Sequence, residues 1–255
     1  MRIEKIKLIR EKLKNNIPTI GSWQQIPNPS ISEILGNSGY DWVAIDFEHG
    51  SIDINQLPDM FRALELSDTL PLVRLASSDP VDSRRVLDAG AGGVIIPMVE
   101  NLKQIEAIRD NIYWPPNGIR GVGYSRANLF GKNFKSYKKE ASLPLLIAQI
   151  ENKNAVENLD QILKLKGLDA IMIGPYDLSA SMGITGDFDH QNFIDVMKLI
   201  KNKCKKYKVP FGNHIVQPNR EHLKRAIDEG QTFIPFSIDA VFLYTSASLE
   251  KEHNN

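Results

Sequence analysis

Four polar residues in this chain stand where short apolar runs end, and their types suit work on a small oxo acid. Glu151 closes the run LLIAQI (Leu145–Ile150). Side chains alternate along a strand, so Ile147, Gln149 and Glu151 share one face, and if Ile147 fills a core the other two stand at its rim. Asp177 follows the next apolar run, in IMIGPYDLSASMG. Two carboxylates on neighbouring strands suit Mg²⁺ or Mn²⁺, which keep water or substrate oxygens in their other positions. The same two residues also suit a helix N-cap and a plain loop charge. Arg74 ends PLVRLA on the face of Leu72. A guanidinium at a rim needs an anionic partner, either a structural Asp or Glu or a substrate carboxylate gripped by both arms. His49, in the run Asp46-Phe47-Glu48-His49-Gly50, stands where a general base would, or is a loop histidine with ordinary hydrogen bonds. Together the set would bind a 2-oxo acid through a metal and stabilise its enolate. His214 closes a later run and either lines the same mouth or is structural.

Something must bring these strand ends together. Strands are expected near Thr19–Trp23, Trp42–Asp46, Leu70–Arg74, Gly93–Pro97, Leu145–Ile150, Asp169–Ile173, Val209–His214 and Thr232–Phe236. Amphipathic helices are expected between them, near Ser30–Asn37, Ile54–Leu66, Pro80–Ala89, Leu102–Asn111, Ala155–Leu165, Phe193–Tyr207, Arg220–Glu229 and Ala240–Glu250. Runs such as GVIIPMV are apolar on both parities, as a sheet covered on both faces requires. This rhythm predicts an α/β fold, a single (β/α)₈ TIM barrel spanning residues 1–255, with the active site at the carboxyl ends of the strands. An open doubly wound sheet would show a glycine-rich phosphate turn after an early strand, and Gly90-Ala91-Gly92-Gly93 instead precedes one. The extra helix Ile3–Leu13 either caps the barrel floor or, the preferred reading, is a solvated amphipathic helix with no function. The long connection Tyr113–Leu143 breaks the rhythm. Its KNFKSYKKEAS part reads as a basic surface helix, and its Gly118–Gly131 part as a loop placed to lie over the barrel mouth. The tail Glu250–Asn255 is expected to fray.

Composition excludes several classes. The 255 residues carry 31 Lys and Arg against 31 Asp and Glu, so no net field draws nucleic acid or an anionic membrane. The lone cysteine, Cys204, can form neither an internal disulfide nor a cysteine-based zinc site, which fits a reducing, cytoplasmic setting. The opening MRIEKIKLIREKLKNN lacks the apolar core of a signal peptide, and no run is long enough for a bilayer span.

The motifs AIDFEHG, VRLA, LDAGAGGVIIPMVE, GIRGVGYSRANLFG, IAQIEN and IMIGPYDLSASMG occur in this order from about Gly21 to Asp239. As a set the chain resembles the metal-dependent (class II) pyruvate aldolases of the 4-hydroxy-2-oxoheptane-1,7-dioate and 2-keto-3-deoxy-sugar-acid type. The resemblance implies a barrel of the phosphoenolpyruvate/pyruvate-domain type that reversibly cleaves a 4-hydroxy-2-oxo acid to pyruvate and an aldehyde. Glu151 and Asp177 would ligate a divalent cation (Mg²⁺, Mn²⁺ or Co²⁺). Gln149 and the backbone at Tyr176–Asp177 would contact pyruvate, and Arg74 would stabilise charge on the keto oxygen of the enolate. His49, through a water, would take the 4-hydroxyl proton. Asp88, in LDAGA, would pair with that histidine. Because Asp88 ends a helix running to the floor, the pairing implies a neighbouring subunit and hence a homo-oligomer; the family forms hexamers of dimers that exchange the last helix.

Three positions depart from the family pattern: Tyr176 where Ala is usual, Phe47 where a small residue is usual, and Ser237-Ile238 in place of Gly-Thr or Gly-Ser. With Trp23 and Gln24 they are expected to reshape the aldehyde pocket. Other readings remain: a Schiff-base aldolase using Lys153, a lyase for acyl-CoA esters or an oxaloacetate decarboxylase on the same metal site, and a catalytically dead barrel kept as a binding subunit.

Overall fold

The computed structural model describes residues 2–249, so the expected fraying tail and the end of the last helix lie outside the described residues. Eight parallel strands form one sheet: β1 (Thr19–Gln24), β2 (Trp42–Asp46), β3 (Leu70–Arg74), β4 (Gly93–Ile96), β5 (Leu145–Ile150), β6 (Ala170–Ile173), β7 (Phe211–Asn213) and β8 (Phe233–Ile238). From β1 to β7 each strand pairs with the next in sequence, and β1 also pairs with β8. The seam between β7 and β8 is closed by backbone bonds from Thr232 N to Phe211 O (2.8 Å), Ile215 N to Pro235 O (3.0 Å) and Ser237 N to Ile215 O (2.8 Å). The result is the expected (β/α)₈ barrel.

Helices α1 (Arg2–Lys14), α2 (Pro29–Gly36), α3 (Leu57–Leu66), α4 (Pro80–Ala89), α5 (Leu102–Ile112) and α6 (Phe134–Glu140) occupy the first half. The second half holds α7 (Lys153–Glu157), α8 (Leu159–Ile162), α9 (Pro175–Ser181), α10 (Gln191–Tyr207), α11 (Arg220–Asp228) and α12 (Asp239–Ala247). The helix expected over Ala155–Leu165 is two short pieces, α7 and α8, because the chain leaves regular geometry at Asn158. Helix starts on the mouth side are fixed by caps: Asn28, Asp79, Asn101, Asn152 and Asn219 each accept a first-turn N–H. No helix among the described residues is long and apolar enough to cross a membrane.

Strand alternation sorts the core into two shells. Trp23, Trp42, Ala44, Leu70, Leu72, Ile95, Leu145, Ile147, Ala170, Met172 and Phe233 pack inside the barrel, while Val43, Ile45, Val73, Val94, Leu146, Ile171 and Phe211 face the helices. Trp42 stacks on Phe233 with ring centroids 4.4 Å apart. A side chain at position 21 would meet that indole at 2.1 Å, so only glycine fits. The interior parity continues upward into Asp46, Arg74, Gln149 and Glu151, which places polar groups on top of a sealed apolar plug.

The floor is closed by α1, whose Ile6, Ile9 and Leu13 join the inner shell, which corrects the solvated-helix reading in favour of the floor cap. The Gly118–Gly131 loop is corrected: it packs on the floor and not over the mouth of its own barrel. Arg126 donates to Ala89 O (2.9 Å) and pairs with Glu65 (2.7 Å), and Arg2 donates to Ala127 O (2.7 Å). The reason is topological, since a segment running from a helix end to the next strand start lies at the amino ends of the strands. Within that connection α6 forms as expected, but its Tyr137 is buried and accepts from Arg120 (2.7 Å).

Candidate active site

Asp46 and Arg74 are register partners at the ends of β2 and β3. Arg74 grips Asp46 with both arms, Nε to Oδ1 at 2.8 Å and Nη2 to Oδ2 at 2.6 Å, and its Nη1 lies 2.9 Å from Glu48 Oε2. Gln25 Nε2 donates to Asp46 at 2.8 Å, and the Glu48 N–H does so at 3.1 Å. Burial alone would raise the pKa of Asp46, but the bonds and charge of Arg74, with Gln25 and the Glu48 N–H, outweigh it and hold the carboxylate ionised. Burial would likewise lower Arg74, and Asp46, Glu48 and Glu151 raise it instead. The anionic partner demanded by the rim position is therefore a structural carboxylate. A guanidinium has five N–H groups, so this grip leaves donors free to meet a substrate oxygen.

Glu151, 2% exposed, stands directly beyond β5 with Gln149 beneath it, as alternation predicts. Gln149 donates to Glu151 Oε2, and Met98 N donates to Oε1 at 2.6 Å. Met98 adopts a left-handed backbone (φ 48°), which aims that N–H at the carboxylate. At Gly174 a Cβ would sit 2.7 Å from Glu151 Oε2, so glycine lets α9 begin hard against the acid. Asp177 is exposed in the first turn of α9 and acts electrostatically on both Glu151 and Glu48.

Burial drives the Glu151 pKa up to about 7; Glu48 and Asp177 push the same way, against the Met98 N–H and Gln149. Glu48 is raised by burial, Asp46 and Asp177, against the pull of Arg74. Asp46, Glu48, Glu151 and Asp177 thus crowd one another, with Arg74 the cation acting on this group among the described residues. Such a surplus of acid favours a bound cation. No three His, Cys, Asp or Glu side chains among the described residues are arranged to enclose a metal, so a cation here would keep positions for non-protein oxygens. Gln149 Oε1 is buried with no partner, a further polar atom waiting on the same space.

The other expected site residues lie as follows. His49 is exposed at the rim, its backbone N–H 3.4 Å from Asp46 Oδ1. Asp88, half-buried at the end of α4, lies on the floor, where burial raises its pKa against the charge of Arg120. Within one chain it and His49 occupy opposite ends of the barrel. Tyr176 is 50% exposed and packs edge-on to Phe188 (5.0 Å). Two expected pocket residues are corrected. Phe47 packs outward against the helix shell, and Gln24 is consumed by Ser32, Ile26 O and Asn28 O. Lys153 is exposed at the start of α7, with no apolar enclosure to neutralise an amine. Asp46, Glu48 and Met98 were not singled out in the sequence. An acid in register with Arg74 was a usable signal for the first; nothing local marks Met98.

A cavity of about 560 Å³ opens on the floor, lined by Arg2, Glu65, Arg126 and Glu140 among others. These four side chains are committed to one another through Arg2–Glu65, Arg2–Glu140 and Arg126–Glu65 pairs.

The chain is similar to known proteins over most of its length. Residues 19–245 match the family model for HpcH/HpaI aldolase/citrate lyase. The chain is 34% identical over 221 residues to the 5-keto-4-deoxy-D-glucarate aldolase of Escherichia coli, covering 86% of each protein. Among solved structures, an HpcH/HpaI aldolase/citrate lyase family protein from Burkholderia cenocepacia superposes with TM-score 0.87 at 27% identity, covering 94% of this chain and 95% of that one. The HpcH/HpaI aldolase of Desulfitobacterium hafniense gives 0.85 at 28% identity over 92% of each. This chain is a class II aldolase, a carbon–carbon lyase, belonging to the HpcH/HpaI aldolase/citrate lyase family.

Proposed function

We propose that this barrel joins and cleaves pyruvate-type 2-oxo acids and aldehydes at the mouth defined by Arg74, Glu151 and Asp177. The observation that carries the reading is the surplus of buried acid beside a tethered guanidinium. Glu151 and Asp177 would hold a divalent cation, which would supply Lewis-acid polarisation of the oxo acid. Arg74, fixed by Asp46, presents its remaining N–H groups to the charge that gathers on the keto oxygen in cleavage, as the C3–C4 bond breaks and the 4-hydroxyl proton passes to His49. Preorganised donors of this kind are worth several kcal/mol because they need not reorient during reaction. Gln149 holds Glu151 with one Nε2 hydrogen and keeps the other for the oxo acid, which the start of α9 also orients. His49 moves the proton of the hydroxyl formed or broken on the aldehyde side. Glu48 screens Arg74 and completes the acidic wall.

Asp88 reaches His49 only from a second copy of the chain, so the active form is a homo-oligomer, on the family pattern a hexamer. The floor beside Asp88 supports this. Val122, Tyr124 and Phe130 are 57%, 76% and 72% exposed there, an apolar surface suited to cover by another subunit.

The experiment is an aldehyde panel with pyruvate, purified protein and Mn²⁺, read by product mass. A new 4-hydroxy-2-oxo acid that disappears with EDTA is expected. Trapping of pyruvate by borohydride would move the assignment to a lysine aldolase, and product only with an acyl-CoA would move it to the citrate-lyase side of the family.

A further inference from the structure

Two polar atoms at the mouth are left over by the aldol scheme. Trp23 Nε1 and His214 Nε2 are both buried, and neither has a hydrogen-bond partner. Trp23 is 1% exposed and belongs to the inner shell. His214 follows β7, where Phe211 faces the helices and Gly212 is the register partner of inner Met172. Alternation therefore turns His214 inward, and the ring contact agrees: the His214 and Trp23 centroids are 5.5 Å apart, tilted by 54°. The Arg74 guanidinium carbon stands 4.7 Å from the Trp23 ring. The two rings that carry the orphan nitrogens thus stand beside the guanidinium assigned above to the keto oxygen.

Barrel interiors are ordinarily filled with branched apolar side chains. A buried donor or acceptor without a partner costs about 1–3 kcal/mol, so this pair is unfavourable unless something binds it. Burial, and then the charge of Arg74, push the His214 pKa down to about 3 against the opposing pull of the Ser237 backbone and Asp46, so the imidazole is neutral. A carboxylate gains no charge partner from a neutral imidazole and is drawn to Arg74 instead. A hydroxyl suits the pair: its oxygen accepts from the indole N–H while it exchanges a hydrogen bond with the imidazole in either tautomer.

We propose that Trp23 and His214 form a hydroxyl-recognition subsite, so that the preferred substrate carries an uncharged hydroxyl on a carbon adjoining the bond made or broken. This rests on the aldolase reading above and deepens it. The hydroxyl belongs either to the oxo acid, as in hydroxypyruvate, or to the aldehyde, as in glycolaldehyde; both present the same group to the two nitrogens.

The test compares kcat/KM for three pairs with Mg²⁺ present: pyruvate with acetaldehyde, pyruvate with glycolaldehyde, and hydroxypyruvate with acetaldehyde. Wild type is expected to favour one hydroxylated pair over the plain one. Trp23→Phe keeps the ring under Arg74 and removes only the N–H, and His214→Leu removes the imidazole. Each is expected to lower the ratio of hydroxylated to plain substrate by about tenfold or more. A fall for hydroxypyruvate alone assigns the hydroxyl to the donor, and a fall for glycolaldehyde alone assigns it to the aldehyde. An unchanged ratio in both variants, even with lower rates throughout, would overturn the subsite. Deuterium exchange at the pyruvate methyl is followed in parallel on the wild type. Its absence would instead sink the aldolase reading on which the subsite depends.

Discussion

Arg74 is the side chain whose role follows most directly from its contacts. The bidentate bond to Asp46 fixes it, and five N–H groups leave some unspent. Arg74→Ala is expected to slow exchange of the pyruvate methyl by about 10²–10³-fold, the usual effect of removing one preorganised donor. Arg74→Lys should not rescue it, because an ammonium cannot hold Asp46 with two parallel bonds. NMR in D₂O checks both, and an unchanged exchange rate would remove Arg74 from the chemistry. Glu151 gives a pH test. A carboxylate whose folded pKa is raised to about 7 favours folding below its unfolded value, and that stability is lost as pH climbs through about 7. Glu151→Gln lacks this loss. In metal-free protein its melting temperature should therefore gain on wild type between roughly pH 4.5 and 7 and hold level above. Added Mn²⁺ should stabilise wild type and leave the variant unmoved, a difference read by thermal melts. At this level the sequence was partly readable: Glu151, Gln149 and Arg74 follow from alternation alone. Asp46 was missed because no strand register is visible in one dimension, and Met98 because its role is played by a backbone N–H.

Elements decide whether those side chains converge. Strand ends were well placed from the sequence because a barrel strand must be apolar on both parities and the runs stop where the core stops. The Gly118–Gly131 loop was misplaced because glycine and arginine content says nothing about which end of a barrel a loop occupies; position between a helix and the next strand does. Helix α1 read more readily as a solvated helix, because charges run along its whole length, yet it plugs the floor and gives a stability prediction. Ile9 is 0% exposed in the inner shell, at the end opposite the acids. Ile9→Ala should cost about 2–4 kcal/mol in urea unfolding by leaving a cavity. The activity of the folded fraction should stay near wild type. A large loss of kcat without loss of stability would show that the floor is coupled to the mouth.

In the assembled barrel, His49 and Asp88 lie at opposite ends, and this predicts complementation. His49→Ala and Asp88→Ala proteins, each nearly inactive in aldol cleavage, should regain activity when unfolded together and refolded as a mixture. Some shared sites would then join an intact His49 of one chain to an intact Asp88 of another. No recovery, with mixed oligomers present by native mass spectrometry, would remove Asp88 from the site. His49→Ala alone should harm cleavage more than methyl exchange, since the proposed scheme rests the enolate half on Arg74 and the acids. The account as a whole turns on whether a cation seated by Glu151 and Asp177 makes the pyruvate methyl acidic. The most direct measurement is the rate of deuterium incorporation into pyruvate by the EDTA-treated protein, before and after Mg²⁺ is returned, for wild type, Glu151→Gln and Asp177→Asn. Exchange that stops on chelation, returns with Mg²⁺ in wild type and stays absent in both variants is the predicted result; exchange that continues without the metal, or survives loss of either carboxylate, would contradict it.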